Sequence, residues 1–403
     1  MAAGLERLRR VDVADVYKAG RLAAVLRRTP AGTVFSYRED FDGPPVATTL
    51  PLGSEPVLTP AGAVPAFFAG LLPEGRRLTA LRTAVKTSAD DELSLLLAVG
   101  RDTVGDVQVV PRGEAPDLPE PMVDAGGFDE VRFSDVLADA FGGRDVIDRV
   151  AIPGVQDKVS ARMLAAPVAA AGGGFILKLD PPEFPHLVEN EAFFLDIARR
   201  SGLPVADARV VTDASGALGL LVSRFDRFLG DDGAIAMRAQ EDGCQVLGRY
   251  PADKYALTTE AVLGGLASVC RAAPVAALEL LRQVAFAYLT GNGDQHAKNL
   301  SAGRVEGEWR AIPLYDAPSS HPYGDTTMAL TVAGRDRENI TASSFLSLGE
   351  ELGLPPRAVV RALDRLVAHV DEWIDDLDRL PFDQRRRHRL RRLILDRAHK
   401  LSS

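Results

Sequence analysis

The first hundred residues change from a strand-like to a helix-like hydrophobic pattern. Residues 13–50 alternate apolar and polar side chains between turn residues, as in VYKAGRLAAVL, which predicts short antiparallel strands and hairpins. Residues 64–87 and 88–102 then space their apolar side chains at helical intervals, and Ser88 ahead of Asp91 and Glu92 indicates a helix N-terminus. These segments predict a small N-terminal α/β subdomain.

The rest of the chain divides into a sheet-rich part and a helix-rich part. A proline-rich, acidic stretch at 111–122 predicts a linker or extended lid. Strand patterns at 148–164, 172–180, 208–213 and 218–228 flank one helix pattern at 186–202. After about residue 235 the long periodic segments 257–272, 274–290 and 355–376 predict helices. We therefore expect an α+β protein in three parts: residues 1–122, a mixed-sheet lobe at 123–235 and a mainly helical lobe at 236–403.

Composition excludes several classes of protein. The 403 residues are 46% hydrophobic, but no apolar run reaches the roughly 18 residues that span a bilayer. The N-terminus lacks the apolar region of a secretory signal, so a cytoplasmic location is expected. Cys244 and Cys270 have no metal-site spacing and are interpreted as packing residues. A net charge of −9 argues against broad capture of nucleic acid by this chain itself.

The C-terminus is locally basic. Residues 385–403 carry eight Arg or Lys and a single acid. The favoured interpretation is a helix that packs Leu390, Leu393 and Ile394 inward and leaves its arginines in solvent. A docking surface for an acidic or nucleic-acid partner is the alternative.

One polar run follows directly after an apolar helix pattern. The segment GNGDQHAKNLS spans residues 291–301, and Gly291 is a natural terminator of the helix at 274–290. Asp294 and Asn299 are five positions apart, a spacing that lets one short loop supply both a base near an acceptor hydroxyl and a metal ligand. Asp316 then ends the apolar segment AIPLYD, which predicts a strand with an acid at its mouth that could bind Mg²⁺.

A lysine inside an apolar strand completes this set. Lys178 lies in FILKLD, where an unpaired ammonium would be costly, so it needs a nucleotide phosphate or Glu191 of the following helix as its partner. Each of these residues alone also has an ordinary structural explanation, such as a loop cap or a turn former. The order strand lysine, helix glutamate, loop aspartate and second aspartate is that of a kinase.

These segments resemble the HipA family of bacterial serine/threonine kinases, the toxins of HipBA-type toxin–antitoxin modules. The similarity runs in order from about residue 13 to 335 through FFAGLLPEG, VAIPGVQDKVSARML, FILKLD, VSRFDR, QEDGCQVLG, GNGDQHAKNLS and IPLYDAPSS. The resemblance implies a two-lobe protein-kinase-like (HipA-like) fold. It also implies ATP and Mg²⁺ as cofactors, with Asp294 as the catalytic aspartate and Asn299 and Asp316 as metal ligands.

The resemblance further implies a set of nucleotide-binding positions. Lys178 corresponds to the lysine that contacts the ATP phosphates, and Arg224 and Phe225 fall in the hinge that faces adenine. His296 and Tyr315 are expected beside the nucleotide. The loop that covers the phosphates corresponds to Pro153, Gly154, Val155, Gln156, Asp157 and Lys158.

One position departs from the family pattern. The regulatory serine, whose autophosphorylation shuts down ATP binding, corresponds to Ala151, which has no hydroxyl to accept a phosphate. Either the chain lacks this switch or the alanine was introduced to keep it unphosphorylated. We expect no phosphate in residues 148–160, even though Ser160 lies near.

The resemblance implies a protein kinase acting as a toxin on an aminoacyl-tRNA synthetase, the best-known target being glutamyl-tRNA synthetase. It implies a HipB-like helix-turn-helix antitoxin as partner, with DNA reached only through that antitoxin and no membrane. Two other functions remain open at this point. A small-molecule kinase would need an acid-lined pocket, for which residues 371–378 (DEWIDDLD) are a candidate, and a catalytically idle member would bridge DNA-bound antitoxins.

Overall fold

The expected α+β organisation is observed, with a small N-terminal domain, a sheet lobe and a helical lobe. The computed structural model describes residues 2–118, 127–140, 164–170, 173–181, 183–230, 233–336 and 339–402. No helix within these ranges has the length and hydropathy to cross a membrane.

The N-terminal domain is a five-stranded antiparallel sheet with three helices, and its strands have the order β4-β3-β2-β1-β5. Alternation places Ala14, Val16, Ala24, Leu26 and Phe35 in its core. The elements are β1 (Val13–Lys18), β2 (Arg21–Thr29), β3 (Gly32–Tyr37), β4 (Val57–Thr59), α1 (Ala66–Ala69), α2 (Gly75–Val85), α3 (Glu92–Val99) and β5 (Val107–Pro111).

In the described part of the sheet lobe, the main sheet has four strands in the order β6-β7-β9-β8. All three strand pairings are antiparallel, so the mixed sheet that we expected is antiparallel in its described strands. The elements are α4 (Phe133–Ala140), β6 (Leu164–Ala170), β7 (Gly173–Leu179), α5 (Leu187–Arg200), β8 (Ala208–Thr212), β9 (Leu218–Ser223), and the hairpin β10 (Arg227–Leu229) with β11 (Ile235–Met237).

The helical lobe holds the largest core, to which α5 of the sheet lobe also contributes. Its three-stranded sheet has the order β12-β13-β14. The elements are β12 (Gln240–Asp242), α6 (Gly243–Val246), α7 (Thr259–Val269), α8 (Ala273–Thr290), β13 (Ser301–Val305), β14 (Glu308–Ala311), α9 (Ala342–Glu351), α10 (Pro356–Ala368), α11 (Val370–Trp373) and α12 (Gln384–Leu401).

The predicted strand that ends in Asp316 is wrong in its extent. Strand β14 ends at Ala311, and beyond it only Leu314 forms an isolated parallel bridge, with Val205. Pro313 has no N–H to donate to a strand neighbour, and Asp316 adopts a left-handed conformation with φ of 53°. The segment is therefore an extended connection rather than a regular strand.

The basic C-terminal helix packs as the favoured interpretation predicts. Leu390 and Ile394 are fully buried, and Leu393 packs against the same core. Arg397 differs from the other arginines of α12 that we expected in solvent, because its buried guanidinium bonds to the carbonyl oxygen of Tyr288 and lies 4.6 Å from the centroid of that ring. Helix α12 thus supports the C-terminal end of α8.

Candidate functional site

The polar run at 291–301 begins where helix α8 ends. The helix ends at Gly291, whose φ of 74° and bonds to Ala287 and Tyr288 carbonyls form the left-handed cap that the sequence predicts. Gly293 is required by close packing, because a Cβ there would lie 2.3 Å from Asp325 Oδ2 and 2.6 Å from the carbonyl oxygen of Thr327. The loop after α8 is therefore held in one conformation.

Asp294 is 1% exposed, and both its backbone and its carboxylate form hydrogen bonds. Its N–H donates to Asn292 Oδ1 over 3.0 Å, and its carbonyl oxygen accepts from Asn299 Nδ2 over 2.9 Å. The hydroxyl of Tyr255 donates to Asp294 Oδ1 over 2.9 Å. Tyr255 was not identified from the sequence, since nothing near residue 255 carries a motif of its own.

Lys178 joins three parts of the chain, as a strand lysine of a kinase would. Its Nζ lies 2.7 Å and 3.0 Å from the two carboxylate oxygens of Glu191 on α5, which confirms the predicted partner. The same Nζ lies 2.8 Å from Asp316 Oδ1, although Asp316 is 138 positions away in sequence. A buried ammonium is thereby compensated by two carboxylates.

The charges of this triad depend on one another. Burial opposes the charged ammonium, but Asp316 and Glu191 outweigh it and raise the pKa of Lys178. Burial also raises the pKa of Glu191, against the attraction of Lys178. For Asp316, burial works against ionisation, yet Lys178 holds its pKa below the ordinary value.

Asn299 and Asp316 are neighbours, as a shared ligand role requires. The Asn299 side chain hydrogen-bonds to the Asp316 carboxylate, and the carbonyl oxygen of Asp316 accepts from Asn292 Nδ2 over 3.3 Å. No cluster of three or more His, Cys, Asp or Glu suited to a metal occurs within the described ranges. One carboxylate and one amide oxygen nonetheless suit Mg²⁺, which usually keeps waters and substrate phosphates as its other ligands.

A cavity of about 310 Å³ adjoins this cluster, and Lys178 connects the two. Phe225 and Tyr315 line it with ring centroids 6.0 Å apart. The hydroxyl of Tyr315 is fixed by Ser301 Oγ at 2.6 Å and donates to the carbonyl oxygen of Lys298 at 2.9 Å. Aromatic walls with a lysine at one end suit a planar ring that carries anionic groups.

Arg224 also lines the cavity, but its guanidinium is already paired. It bonds to Asp102 at 2.9 Å, to Asp226 at 2.8 Å and to the carbonyl oxygen of Thr103 at 2.9 Å. Its side chain therefore fastens the hinge to the N-terminal domain. His296 does not line the cavity: it is buried with its ring centroid 5.1 Å from that of Tyr255, and burial together with Lys254 lowers its pKa to about 3, so it is neutral near pH 7.

The remaining predicted residues lie outside the described ranges. These are Ala151, Ser160 and the phosphate loop Pro153, Gly154, Val155, Gln156, Asp157 and Lys158. They stay predictions.

Asp378, at the end of the acidic run at 371–378, lines a second cavity of about 440 Å³, but that cavity is basic rather than acid-lined, because its other lining residues are Gln384, Arg385, Arg387, His388 and Arg391. Asp376 pairs with Arg200, Asp375 pairs with Arg391, and neither acid lines the 310 Å³ cavity. The acid-lined pocket that a small-molecule kinase would need is therefore not observed at residues 371–378.

Sequence reasoning also missed that the N-terminal domain lines the cavity. The cavity wall includes residues 70–74, Arg77, Val99 and residues 102–104. The sequence motif FFAGLLPEG contains residues 70–74 of this wall, so it was the part of the sequence that pointed to the contact. A motif alone, however, does not show which other part of the molecule its residues contact.

Comparison with known proteins identifies the family of this chain. The HipA-like C-terminal domain family matches residues 150–374, and the HipA N-terminal domain family matches residues 14–110. A Sinorhizobium fredii protein classed by name with the kinases is 30% identical over 390 residues, which cover 90% of this chain and 91% of that protein. The serine/threonine-protein kinase toxin HipA of Shewanella oneidensis is 28% identical over 367 residues, covering 85% and 83% respectively.

The solved complex of the Shewanella oneidensis toxin–antitoxin system HipA, HipB and its operator DNA contains a chain of the same fold. It superposes with a TM-score of 0.78 at 22% identity, over 96% of this chain and 97% of that chain. The fold is thus the two-lobe, kinase-like HipA fold. By family match, extent of similarity and architecture, this chain is a member of the HipA family.

Proposed function

We propose that this protein is an ATP- and Mg²⁺-dependent serine/threonine protein kinase. The observation that carries the proposal is the contact of Lys178 with both Glu191 and Asp316, beside the Asp294–Asn299 loop and the aromatic cavity. Family membership supports it, since the relatives named above include proteins called kinases.

Each side chain has a role in this proposal. Phe225 and Tyr315 hold the adenine, and Lys178 binds the phosphates while Glu191 orients it. Asp294 accepts the proton of the attacking hydroxyl, and Tyr255 fixes the direction of its carboxylate. Asn299 and Asp316 hold Mg²⁺, which when bound neutralises charge on the phosphates.

We further propose that the kinase is the cytoplasmic toxin of a type II toxin–antitoxin module. A HipB-like helix-turn-helix antitoxin is then its partner, and DNA is reached only through it. The support is the family assignment and the Shewanella oneidensis complex, which contains HipA, HipB and operator DNA. An aminoacyl-tRNA synthetase, such as glutamyl-tRNA synthetase, is the proposed acceptor, and its phosphorylation would inhibit translation.

The test is a phosphoryl-transfer assay with ATP labelled at the γ-phosphate, Mg²⁺, a cytosolic extract and tRNA. The unmodified protein should label one discrete extract protein, identified by mass spectrometry, and Asp294→Asn should label none. ATP consumption without any labelled protein would contradict the protein-kinase proposal in favour of a small acceptor. Absence of both ATP consumption and labelling would favour the idle bridging role.

A further inference from the structure

The N-terminal domain supplies one wall of the nucleotide cavity through the segment Gly70–Arg77. Helix α2 begins at Gly75, directly after Glu74, so Arg77 lies in the first turn of the helix. Both Glu74 and Arg77 line the cavity together with Lys178, Phe225 and Tyr315. A side chain of the first domain therefore faces the same space as the kinase lobes.

This wall is fastened to the catalytic loop. The Glu74 carboxylate pairs with Lys254 and lies 3.9 Å from Lys298 Nζ. Lys298 Nζ also donates to the carbonyl oxygen of Gly70 over 3.0 Å and to Asp242 Oδ2 over 2.6 Å. Lys254 precedes Tyr255 and Lys298 precedes Asn299, so the position of Arg77 is set relative to the reacting groups.

Among the described residues, four cations line the cavity, and three of them are paired. Lys178 bonds to Glu191 and Asp316, and Lys298 bonds to Asp242. Arg224 pairs with Asp102 and Asp226. Arg77, by contrast, forms no ion pair or hydrogen bond with the residues that the structure describes.

An arginine that lines a cavity without an ion pair among the described residues is suited to binding an anion. Burial lowers the pKa of Arg77 and the neighbouring Arg224 lowers it further, while Asp102 compensates only in part. A guanidinium stays protonated in proteins, so its cost is relieved by binding a negative group rather than by losing a proton. Its planar fork of donors matches the oxygens of a phosphate.

We propose that Arg77 binds a phosphate group of the nucleotide in this cavity, so that the N-terminal domain completes the nucleotide site. This assignment rests on the proposed function. The reasons for a nucleotide phosphate rather than a carboxylate are the aromatic pair Phe225 and Tyr315 in the same cavity and a second lining cation, Lys178. The nucleotide is held from both domains at once.

The experiment measures the dissociation constants of ATP, ADP and adenosine by calorimetry in the presence of Mg²⁺. Arg77→Ala should weaken ATP and ADP by roughly tenfold or more, the effect of one lost charge-assisted hydrogen bond, and leave adenosine unchanged. Arg77→Lys keeps the charge and loses the planar fork of donors, so it should weaken ATP and ADP binding by less than Arg77→Ala does. Arg38→Ala removes an exposed arginine of the same domain and should change none of the three.

Other outcomes overturn the assignment. Equal weakening of ATP and adenosine by both Arg77 variants would show a structural role, and melting temperatures of the variants identify a folding defect. Unchanged ATP binding with reduced labelling of the protein acceptor would assign Arg77 to an acidic group of that acceptor instead. Failure of the unmodified protein to bind ATP would contradict the proposed function itself, and this is measured before any variant.

Discussion

At the residue scale, the site depends on side chains whose partners are distant in sequence. Tyr255 and Asp294 are 39 positions apart, yet the tyrosine hydroxyl donates directly to the buried carboxylate. Tyr255 itself is 37% exposed, so it lies where an acceptor could approach. A carboxylate that must accept a proton in one direction benefits from a donor that fixes its other oxygen.

We predict that Tyr255→Phe lowers kcat by about tenfold, because a hydrogen bond to a charged group contributes about 1.5–3 kcal/mol and 1.4 kcal/mol is tenfold in rate. The KM for ATP should stay unchanged, since Tyr255 does not line the nucleotide cavity. The matched control is Tyr250→Phe, which removes a hydroxyl that donates to the carbonyl oxygen of Val64. Steady-state kinetics of both variants test this prediction. An equal loss of kcat in Tyr255→Phe and Tyr250→Phe would refute the positioning role of Tyr255.

At the element scale, local rules predicted helices better than their caps. Helix α8 and its glycine cap agree with the pattern at 274–290. The helix after Ser88 begins instead at Glu92, and Asp91 is the cap, because the Asp91 side chain accepts from the Ser94 N–H. Ser88 and Asp91 are both good cap residues, and Asp91 is also held by an ion pair with Arg28 of β2.

The turn between β8 and β9 provides a pH-dependent test. Asp213 accepts hydrogen bonds from the N–H groups of Phe133, Ser215 and Ala217, and from Ser215 Oγ. Burial acts against the carboxylate, but these four donors outweigh it and lower the pKa of Asp213 to about 2 from an ordinary value of 3.8. The turn therefore stabilises the fold only while Asp213 is ionised.

A lowered folded-state pKa stabilises the protein above the unfolded pKa and loses this contribution as the pH falls through the folded pKa. We therefore predict that Asp213→Asn lowers the unfolding free energy by about 2 kcal/mol near pH 6. The difference from the unmodified protein should shrink as the pH falls from about 4 to about 2. Denaturant unfolding across this range measures it, and a pH-independent difference would exclude the titration as its cause.

At the scale of the whole molecule, the N-terminal domain and the kinase lobes are joined by buried polar contacts. Asp226 is 3% exposed and accepts from Arg224, from Arg227 and from the N–H of Gly105 in the first domain. Further links are Gln245 to the carbonyl oxygen of Phe67 and Thr48 to Glu241. Because these groups are withdrawn from water, we expect the domains to unfold together.

We predict that Asp226→Ala lowers the unfolding free energy by about 3–5 kcal/mol, because it leaves two buried guanidinium groups with Asp102 as their one carboxylate partner among the described residues. Asp40→Ala, which removes an exposed partner of Arg38, is the control and should cause no measurable change. Calorimetric unfolding compares the two. A small effect of Asp226→Ala would mean that the network adds little to the joining of the domains.

The sequence by itself determined the elements and the chemistry of individual segments. The α+β order, the helix at 274–290, the packing of Leu390 and Ile394, and the need of Lys178 for an anionic partner all follow from periodicity and from the cost of an unpaired charge. These rules depend on a few neighbouring residues or on one strand and one helix, so the amino-acid sequence alone is enough to apply them.

Only the tertiary structure decided which distant segments meet. It replaced the strand before Asp316 with an extended connection, engaged Arg224 in a domain contact, and brought Tyr255 to Asp294 and Arg77 to the cavity that Phe225 and Tyr315 line. The physical reason is that such contacts depend on how whole elements pack, and packing depends on the combined shape of many side chains rather than on local spacing.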